Sequence, residues 1–485
     1  MTQFSRRQFL ENSMFAAAAA AVAGGAPKML LGAEAQQSKS PNERLGVAVI
    51  GVKGRGNEHL NAYGHTDKYN IEVTHLCDTD TQWGMKRVEE TAKRQGRKPK
   101  FVQDLRQVFD DPAVDVVSIA TPNHWHALAA IWAIQAGKDV YVEKPVSHNV
   151  SEGRRIVEAA RVHQKICQTG TQCRSMAGTI EAIEYVKAGK IGEVKVARGL
   201  CYKTRNSIGP KGEHAPPASV DYNIWLGPAP KKPVTRNQFH YDWHWFWDYG
   251  NGDLGNQGIH QMDIARWGLG VDGLSKRVLS YGGRFGYEDA GETANSQTVI
   301  HAYGDKTLVF EVRGLSTEPL RGAKVGVIFG GSDGYVVLTS YNGGAAFDLK
   351  GNMVKQFNGG GDHFGNFFTA VRSRNLSDLT ADIEQGHLSS ALCHLGNISY
   401  RLGSEVAAAE IPDRLKDYSG AAGDFERFSQ HLADNKVNLE RTRVRLGAAL
   451  KLDPAAEKFV GNSQADAMLT REYRAPFIVP AAGKV

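Results

Sequence analysis

The sequence predicts an α/β protein with an N-terminal doubly wound parallel sheet and a C-terminal α/β domain built on a large, mostly antiparallel open sheet. Three observations predict it. Between residues 45 and 170, short apolar β-branched runs alternate with helical stretches, the pattern of βαβ units around a parallel sheet. After residue 172, strand-like runs follow one another without intervening helices, which points to antiparallel or mixed pairing. A glycine-rich turn stands directly after the first apolar run, where such a sheet feeds its first helix.

Taken in order, 45–50 reads as a strand, followed by the glycine turn and a helix to residue 65. A second strand spans 71–77 and a helix with charges on one face spans 83–95. Strands at 114–120 and 140–142 flank an Ala-rich helix, 126–136, closed by Gly137. An amphipathic helix at 151–163 leads to a strand at 166–169. Beyond it lie a helix at 180–187 and strands at 194–199, 297–301, 307–312, 324–329 and 335–339. An aromatic loop, 239–249, precedes a helix at 259–267, and further helices cover 364–373 and 383–402. Phe425, Phe428 and Leu432 keep helical spacing, so the C-terminal stretch reads as a packed extension. The division is 1–35 signal, 36–171 Rossmann domain, 172–403 second α/β domain and 404–485 C-terminal extension.

Length and composition agree with this. The 485 residues exceed one ordinary domain, and 41% hydrophobic with 23% charged residues is a soluble globular balance. The net charge of +6 is dispersed; the basic run at 94–100 reads as a solvated face, so no nucleic-acid partner is expected. At the N-terminus, Arg6-Arg7 precedes an apolar stretch at 15–23 and the small residues Ala33-Glu34-Ala35. That order reads as a twin-arginine (Tat) export signal, which implies the export machinery as a partner and a periplasmic location. The stretch is too short for a stable membrane anchor. Five cysteines without CxxC spacing indicate neither a disulfide framework nor a zinc site.

Four segments carry chemistry. In Val49-Ile50-Gly51-Val52-Lys53-Gly54-Arg55-Gly56, a strand enters a glycine turn and then a helix, the setting in which backbone N–H groups receive a pyrophosphate. The usual spacing would place glycine at Lys53; here it stands one place later, at Gly54. Asp78 closes the second strand, where a carboxylate hydrogen-bonds ribose hydroxyls and repels a 2′-phosphate, favouring NAD over NADP. Thr121-Pro122-Asn123-His124-Trp125-His126 follows the 114–120 strand at the ligand-binding edge of the sheet, so Thr121, Pro122, Asn123 and His126 line the cofactor. His124 and His126 lack a third ligand nearby; loop packing explains them better than a metal, and no metal site is expected. In Glu143-Lys144-Pro145, a Lys at a strand end can orient a substrate hydroxyl and ease its deprotonation, and Pro145 suits a cis bond. Asn256, His260 and Asp263 fall on one face of a helix beginning near Gln257, with His260 a candidate general base. Trp243 and His244 lie in the aromatic loop, whose flat rings suit either a carbohydrate or tight core packing. Arg174 and Tyr202 are further substrate-pocket candidates.

This ordered set of motifs resembles the glucose–fructose oxidoreductase/inositol dehydrogenase family, Gfo/Idh/MocA, over almost the whole chain after the signal, and its exported members in particular. The resemblance implies NAD(P) at Gly51–Gly56 and Asp78, Lys144 and His260 at the reacting centre, a small carbohydrate substrate, and a homo-oligomer of two or four subunits formed on the open sheet. Two departures matter: Lys53, in place of the usual glycine, can add a charge near the pyrophosphate, and where the family's dehydrogenases carry an Asp four residues before the His, here it is Asn256. An amide cannot accept a proton, which leaves His260 or Lys144 to do so.

Export adds a constraint, because no pool of free nicotinamide cofactor awaits an enzyme outside the cytoplasm. The expectation is therefore an oxidoreductase of sugar or polyol hydroxyls that holds NAD tightly and regenerates it within each cycle. A glycoside hydrolase working by oxidation, elimination, hydration and reduction meets the same need, outside the two-carboxylate scheme. A sugar-binding protein without turnover is the third reading, kept open by Asn256.

Overall fold

Six strands form the first sheet: β1 (Leu45–Ile50), β2 (Ile71–Cys77), β3 (Lys100–Val102), β4 (Val116–Ile119), β5 (Asp139–Val142) and β6 (Cys167–Thr169). Their spatial order is β3-β2-β1-β4-β5-β6 and every neighbouring pair is parallel. This order puts the topological reversal between β1 and β4, where open α/β sheets bind ligands. The computed structural model describes residues 40–418, 421 and 423–485; the Arg6-Arg7 signal falls outside the described residues.

Local chemistry starts and stops the helices. In α1 (Arg55–Tyr63) the N-cap is Gly54. For α2 (Thr81–Gln95), the Asp80 carboxylate accepts the Gln82 N–H at 2.9 Å, and Gly96 ends it at φ +72°. Helix α3 (Asn123–Gln135) is buried on nearly all sides, which its alanines permit by letting neighbours approach closely. One neighbour is the chain's own end: Phe477 packs edge-on against Trp125, with ring centroids 5.4 Å apart. Helix α4 (Val150–Val162) begins where Asn149 accepts the Glu152 N–H at 2.9 Å.

The second sheet is larger than the sequence suggested. It contains β7 (Val194–Cys201), β8 (Arg277–Gly283), β9 (Ser296–Tyr303), β10 (Lys306–Arg313), β11 (Val325–Gly331), β12 (Gly334–Ser340), β13 (Gly343–Asp348), β14 (Met353–Asn358), β15 (Ser404–Val406) and β16 (Val444–Leu446), in the order β14-β13-β12-β11-β7-β10-β9-β8-β16-β15. β17 (Leu450–Asp453) joins β8 and β18 (Lys458–Phe459). β7 and β10 pair in parallel; the other pairs are antiparallel. β13 escapes recognition because it opens Gly343-Gly344, yet a side chain at Gly344 would lie 1.9 Å from the Val337 carbonyl oxygen. The glycines that weaken the strand signal are needed for close pairing.

One face of this sheet packs on α5 (Ala177–Lys187), α6 (Ile259–Leu269) and α8 (Ile383–Arg401). Helix α7 (His363–Ser373) instead lays Phe364, Phe367 and Phe368 on Val47, Val49 and Ile71 of the first sheet. In α9 (Asp424–Asp434), Phe425, Phe428 and Leu432 cover Leu279, Tyr281 and Ile300 on the opposite face of the large sheet. Residues Ser40–Val485 thus form one compact unit in which the C-terminal extension completes both sheets' packing. All five cysteines are buried and unpaired. No helix among the described residues is long and apolar enough to cross a membrane, and no trio of metal-ligating side chains occurs there.

Candidate active site

Strand β1 runs into Gly51, whose φ of +82° and whose position 2.7 Å (from an added Cβ) off the Ala120 carbonyl oxygen exclude any side chain. A Cβ on Gly56 would stand 1.7 Å from the Gly51 oxygen, so turn and helix touch backbone to backbone. On the Cβ side of Gly54 there is open space, and no side chain caps the first N–H groups of α1. These features fit a pyrophosphate at the helix N-terminus, and the shift of glycine from position 53 to 54 leaves that fit intact.

A cavity of about 510 Å³ opens on this turn. Gly51, Lys53, Gly54, Arg55, Asp78, Thr121, Pro122, Asn123 and His126 line it along the sheet edge; Glu143, Lys144, Tyr241, Trp243, His244 and Asn256 line the rest. The Asp78 carboxylate accepts N–H groups of Val52 at 2.8 Å and Asp80 at 2.9 Å, and burial pushes its pKa up to about 6. Lys53 and Lys86 lie 4.8 Å and Arg87 5.5 Å from the Trp83 ring centre, making a cationic wall beside Asp78. Thr79, Trp83 and Arg87 also line the cavity and were not singled out from the sequence. Their signal was available: all three closely follow Asp78, Thr79 in the loop before α2 and Trp83 and Arg87 in its first two turns.

Glu143 is buried and acts as a hub. Arg55 donates to its carboxylate at 2.8 Å and His59 stands 3.0 Å from the same oxygen, while the other His59 nitrogen meets Ser118 at 2.8 Å. The neighbouring Arg55 and His59 hold the Glu143 carboxyl well below its usual range despite burial. This clamp fixes the start of the Lys144-Pro145 segment, whose peptide bond is cis. His126 spans the two loops, with Nδ1 2.6 Å from the Pro145 oxygen and Nε2 2.7 Å from the Thr121 oxygen. It therefore ties backbone segments together at the cavity wall. Asn123 donates to the Asn251 side chain at 3.1 Å.

Lys144 Nζ donates to the Asn256 carbonyl oxygen at 2.5 Å. Burial is the main cause that lowers its pKa, which makes the uncharged amine easier to reach than on an exposed lysine. His244 stands in the same cavity, stacked on Trp243 with ring centroids 3.7 Å apart. Its Nδ1 donates to the Tyr241 carbonyl oxygen at 2.5 Å, which leaves Nε2 as the unprotonated acceptor. Burial brings its pKa down to about 3, so the ring stays neutral. The wider aromatic loop mostly packs on itself: Phe239, Trp243, Trp245, Phe246 and Tyr249 share a core, and Tyr241 alone among its large rings is 45% exposed.

Asn256 lies in a π-helical turn, Leu254–Gly258, that runs directly into α6. The helix thus starts before Gln257, and the wider turn aims the Asn256 carbonyl at Lys144. His260 is buried and does not line the cavity; burial, followed by the charge Lys144 carries whenever it is protonated, holds it well below its usual pKa, and its Nδ1 has no partner among the described residues.

Three other substrate candidates sit apart from the cavity lining. Arg174 and Asp263 form a two-pronged ion pair, both bonds 2.8 Å, and Ser389 donates to the same carboxylate at 2.7 Å. Tyr202 donates to Glu311 at 2.7 Å, in a buried cluster with Arg198 and Arg313. Their polar atoms are already committed to structural partners. Arg174→Met is accordingly expected to cost about 3–5 kcal/mol of stability, because it strands the Asp263 charge in the core. Denaturant unfolding checks this; unchanged stability with a raised KM would return Arg174 to the substrate pocket.

Comparison with known proteins matches this geometry. The profile described as Oxidoreductase family, NAD-binding Rossmann fold (GFO_IDH_MocA) matches residues 45–171, and Oxidoreductase family, C-terminal alpha/beta domain (GFO_IDH_MocA_C2) matches residues 211–422. A levoglucosan dehydrogenase from Pseudarthrobacter phenanthrenivorans is 29% identical over 191 residues, 39% of this chain and 42% of that protein. An alpha-N-acetylgalactosaminidase from Shewanella oneidensis is 30% identical over 156 residues, 31% of this chain and 34% of that protein. The match spans less than half the length of these curated relatives. A solved structure of levoglucosan dehydrogenase in complex with NADH aligns with TM-score 0.56 at 18% identity, covering 72% of this chain and 95% of that one. The WlbA dehydrogenase from Bordetella pertussis, in complex with NADH and UDP-GlcNAcA, aligns at 0.53 and 19% identity over 72% and 94%. These two likenesses show a shared fold. A glycine turn with backbone-tight packing, an Asp at the end of β2, and profile matches to both halves lead to one conclusion: this chain belongs to the Gfo/Idh/MocA oxidoreductase family, with an NAD-binding Rossmann fold.

Proposed function

We propose that this protein uses tightly held NAD to act on a hydroxyl group of a sugar or polyol. The observation that carries the reading is the shared cavity: Lys144 Nζ and His244 stand in the same 510 Å³ space as the glycine turn and Asp78. Gly51, Gly54, Gly56 and Asp78 would hold the dinucleotide, and Thr121, Pro122 and Asn123 would flank it along the sheet edge. The bound cofactor supplies a hydride acceptor. In its uncharged form Lys144, held by the Asn256 carbonyl, takes the hydroxyl proton at Nζ. The His244 Nε2 lone pair accepts a hydrogen bond from a second hydroxyl, and exposed Tyr241 offers its ring to a sugar's C–H face.

The relatives named as glycosidases support a second reading, in which the net reaction is glycoside cleavage. In that reading Lys144 Nζ passes the hydroxyl proton to solvent and then takes the proton from the carbon beside the ring ketone; the aglycone would leave, water would add to the resulting double bond, and the ketone would be reduced again. The twin-arginine pair supports Tat-dependent export to the periplasm, and the apolar Met353 and Val354 exposed on edge strand β14 support association of identical chains.

Nucleotide content tests the reading. Folded protein purified without added cofactor is expected to release NAD(H) stoichiometrically on acid treatment, as chromatography would show. Chromogenic glycosides then separate the two reactions: aglycone release without net NADH accumulation identifies cleavage, and NADH accumulation identifies simple oxidation. Protein that is empty and binds NAD only weakly would sink the tightly held, self-regenerating cofactor.

A further inference from the structure

Asn123, at the wall of the first cavity, is hydrogen-bonded to Asn251, which lines a second cavity of about 340 Å³. None of the motifs read from the sequence accounts for this second space. Its walls come from the start of α4, the C-terminal end of α8 and the chain's last segment, and its polar lining is rich in donors: Arg401, Arg471 and His148.

The hydrogen-bond pattern fixes what these groups offer. Arg471 Nη1 donates to the Asp248 carbonyl oxygen at 2.9 Å and stands 3.2 Å from His148 Nδ1. A guanidinium cannot accept a hydrogen bond, so His148 Nδ1 is the acceptor and the ring proton sits on Nε2. That Nε2–H is buried and has no acceptor among the described residues. Burial, followed by the positive charge of Arg471, holds the ring neutral, so this tautomer persists. Arg401 rests 5.0 Å over the Trp247 ring and has no hydrogen-bond or ion-pair partner among the described residues.

The nearby carboxylates do not meet these needs. Glu292, the carboxylate that acts most strongly on Arg401, accepts the Trp247 N–H at 2.9 Å; Asp248 is paired with Lys232 at 2.6 Å, and the Glu152 oxygens accept the His148 N–H at 2.7 Å and the Asn149 side chain at 2.9 Å. Glu472 stands exposed among the lining residues. A cation also suits the C-terminal end of α8, but that role leaves the His148 Nε2–H orphaned. An exposed guanidinium with no protein partner and a buried, orphaned donor beside one cavity are matched by an acceptor-only ligand.

We propose that this second cavity binds an oxyanion carried by a small molecule, with Arg401 and the His148 Nε2–H donating to its oxygens and Arg471 holding His148 in place. The site is separate from the cofactor cavity and does not depend on the activity assigned there. Calorimetric titration of the NAD-loaded full chain with sodium sulfate, inorganic phosphate and sodium glucuronate, at constant ionic strength, tests it. At least one should bind saturably, and Arg401→Gln should weaken that binding about tenfold or more with unchanged NAD content and thermal midpoint. His148→Phe, which keeps ring volume and removes the donor, should weaken it as well. Tighter binding of sulfate or phosphate identifies a tetrahedral oxyanion; tighter glucuronate identifies a sugar carboxylate. No saturable binding of any of the three, or wild-type affinity in both variants, overturns the proposal.

Discussion

Lys144→Met is expected to lower kcat/KM by about 10²–10⁴-fold, the range that a positioned proton acceptor contributes, while NAD stays bound. Methionine keeps the unbranched side chain up to Cε and removes the nitrogen that donates to the Asn256 carbonyl at 2.5 Å. The glycine turn and Asp78 are untouched, so nucleotide content separates lost chemistry from lost cofactor. The pH profile gives a second check. Burial lowers the Lys144 pKa, and proton acceptance needs the neutral amine, so kcat/KM should rise with pH through that lowered pKa and then level off. The limb should disappear in the variant's residual activity. Activity within tenfold of the parent would move the acceptor role to His244 Nε2, and His244→Phe would then show the larger loss.

Gly56→Ala is expected to abolish stoichiometric NAD binding and to cost the fold about 1–3 kcal/mol, the usual penalty of overpacking. The new methyl would start 1.7 Å from the Gly51 carbonyl oxygen, and backbone atoms cannot swing away as a flexible side chain can. Relief requires α1 to move off the turn, which also carries Arg55 away from Glu143 and loosens the clamp behind Lys144. Acid-released nucleotide and a thermal scan, run together, measure both effects. Gly54→Ala is the control, since its Cβ side is open for 4 Å and its fold should survive. If Gly56→Ala keeps a full complement of NAD, helix α1 does not need its close packing to hold the pyrophosphate.

How far the sequence could be read depended on how local each signal was. β1 and β2 were legible to their end residues, because a run of apolar β-branched residues bounded by polar or glycine turns has few alternatives. The turn from Gly51 to Gly56 stands out for the same reason: the close contact at Gly56 is with Gly51, five residues earlier. By contrast β8, β13 and the small strands near the C-terminus were missed, since their pairing partners lie far along the chain and their own glycines weaken the propensity signal.

The candidate site divides the same way. Position in the sequence made His260 look like the base and Arg174, Tyr202 and Asp263 look like substrate contacts. The fold pairs Arg174 with Asp263 and Tyr202 with Glu311, and it buries His260 with its pKa depressed. It was also packing that folded the aromatic loop so that His244, fixed in one tautomer by Tyr241, shares a cavity with Lys144. The sequence by itself determined the parallel sheet, the nucleotide turn at its switch point and the lysine at the end of β5, because those depend on periodicity and on backbone chemistry within a few residues. Only the tertiary structure decided which charged groups face the cavity and which satisfy each other, because a buried charge takes its partner from whatever the fold brings near it, more than eighty residues away in the case of Arg174 and Asp263.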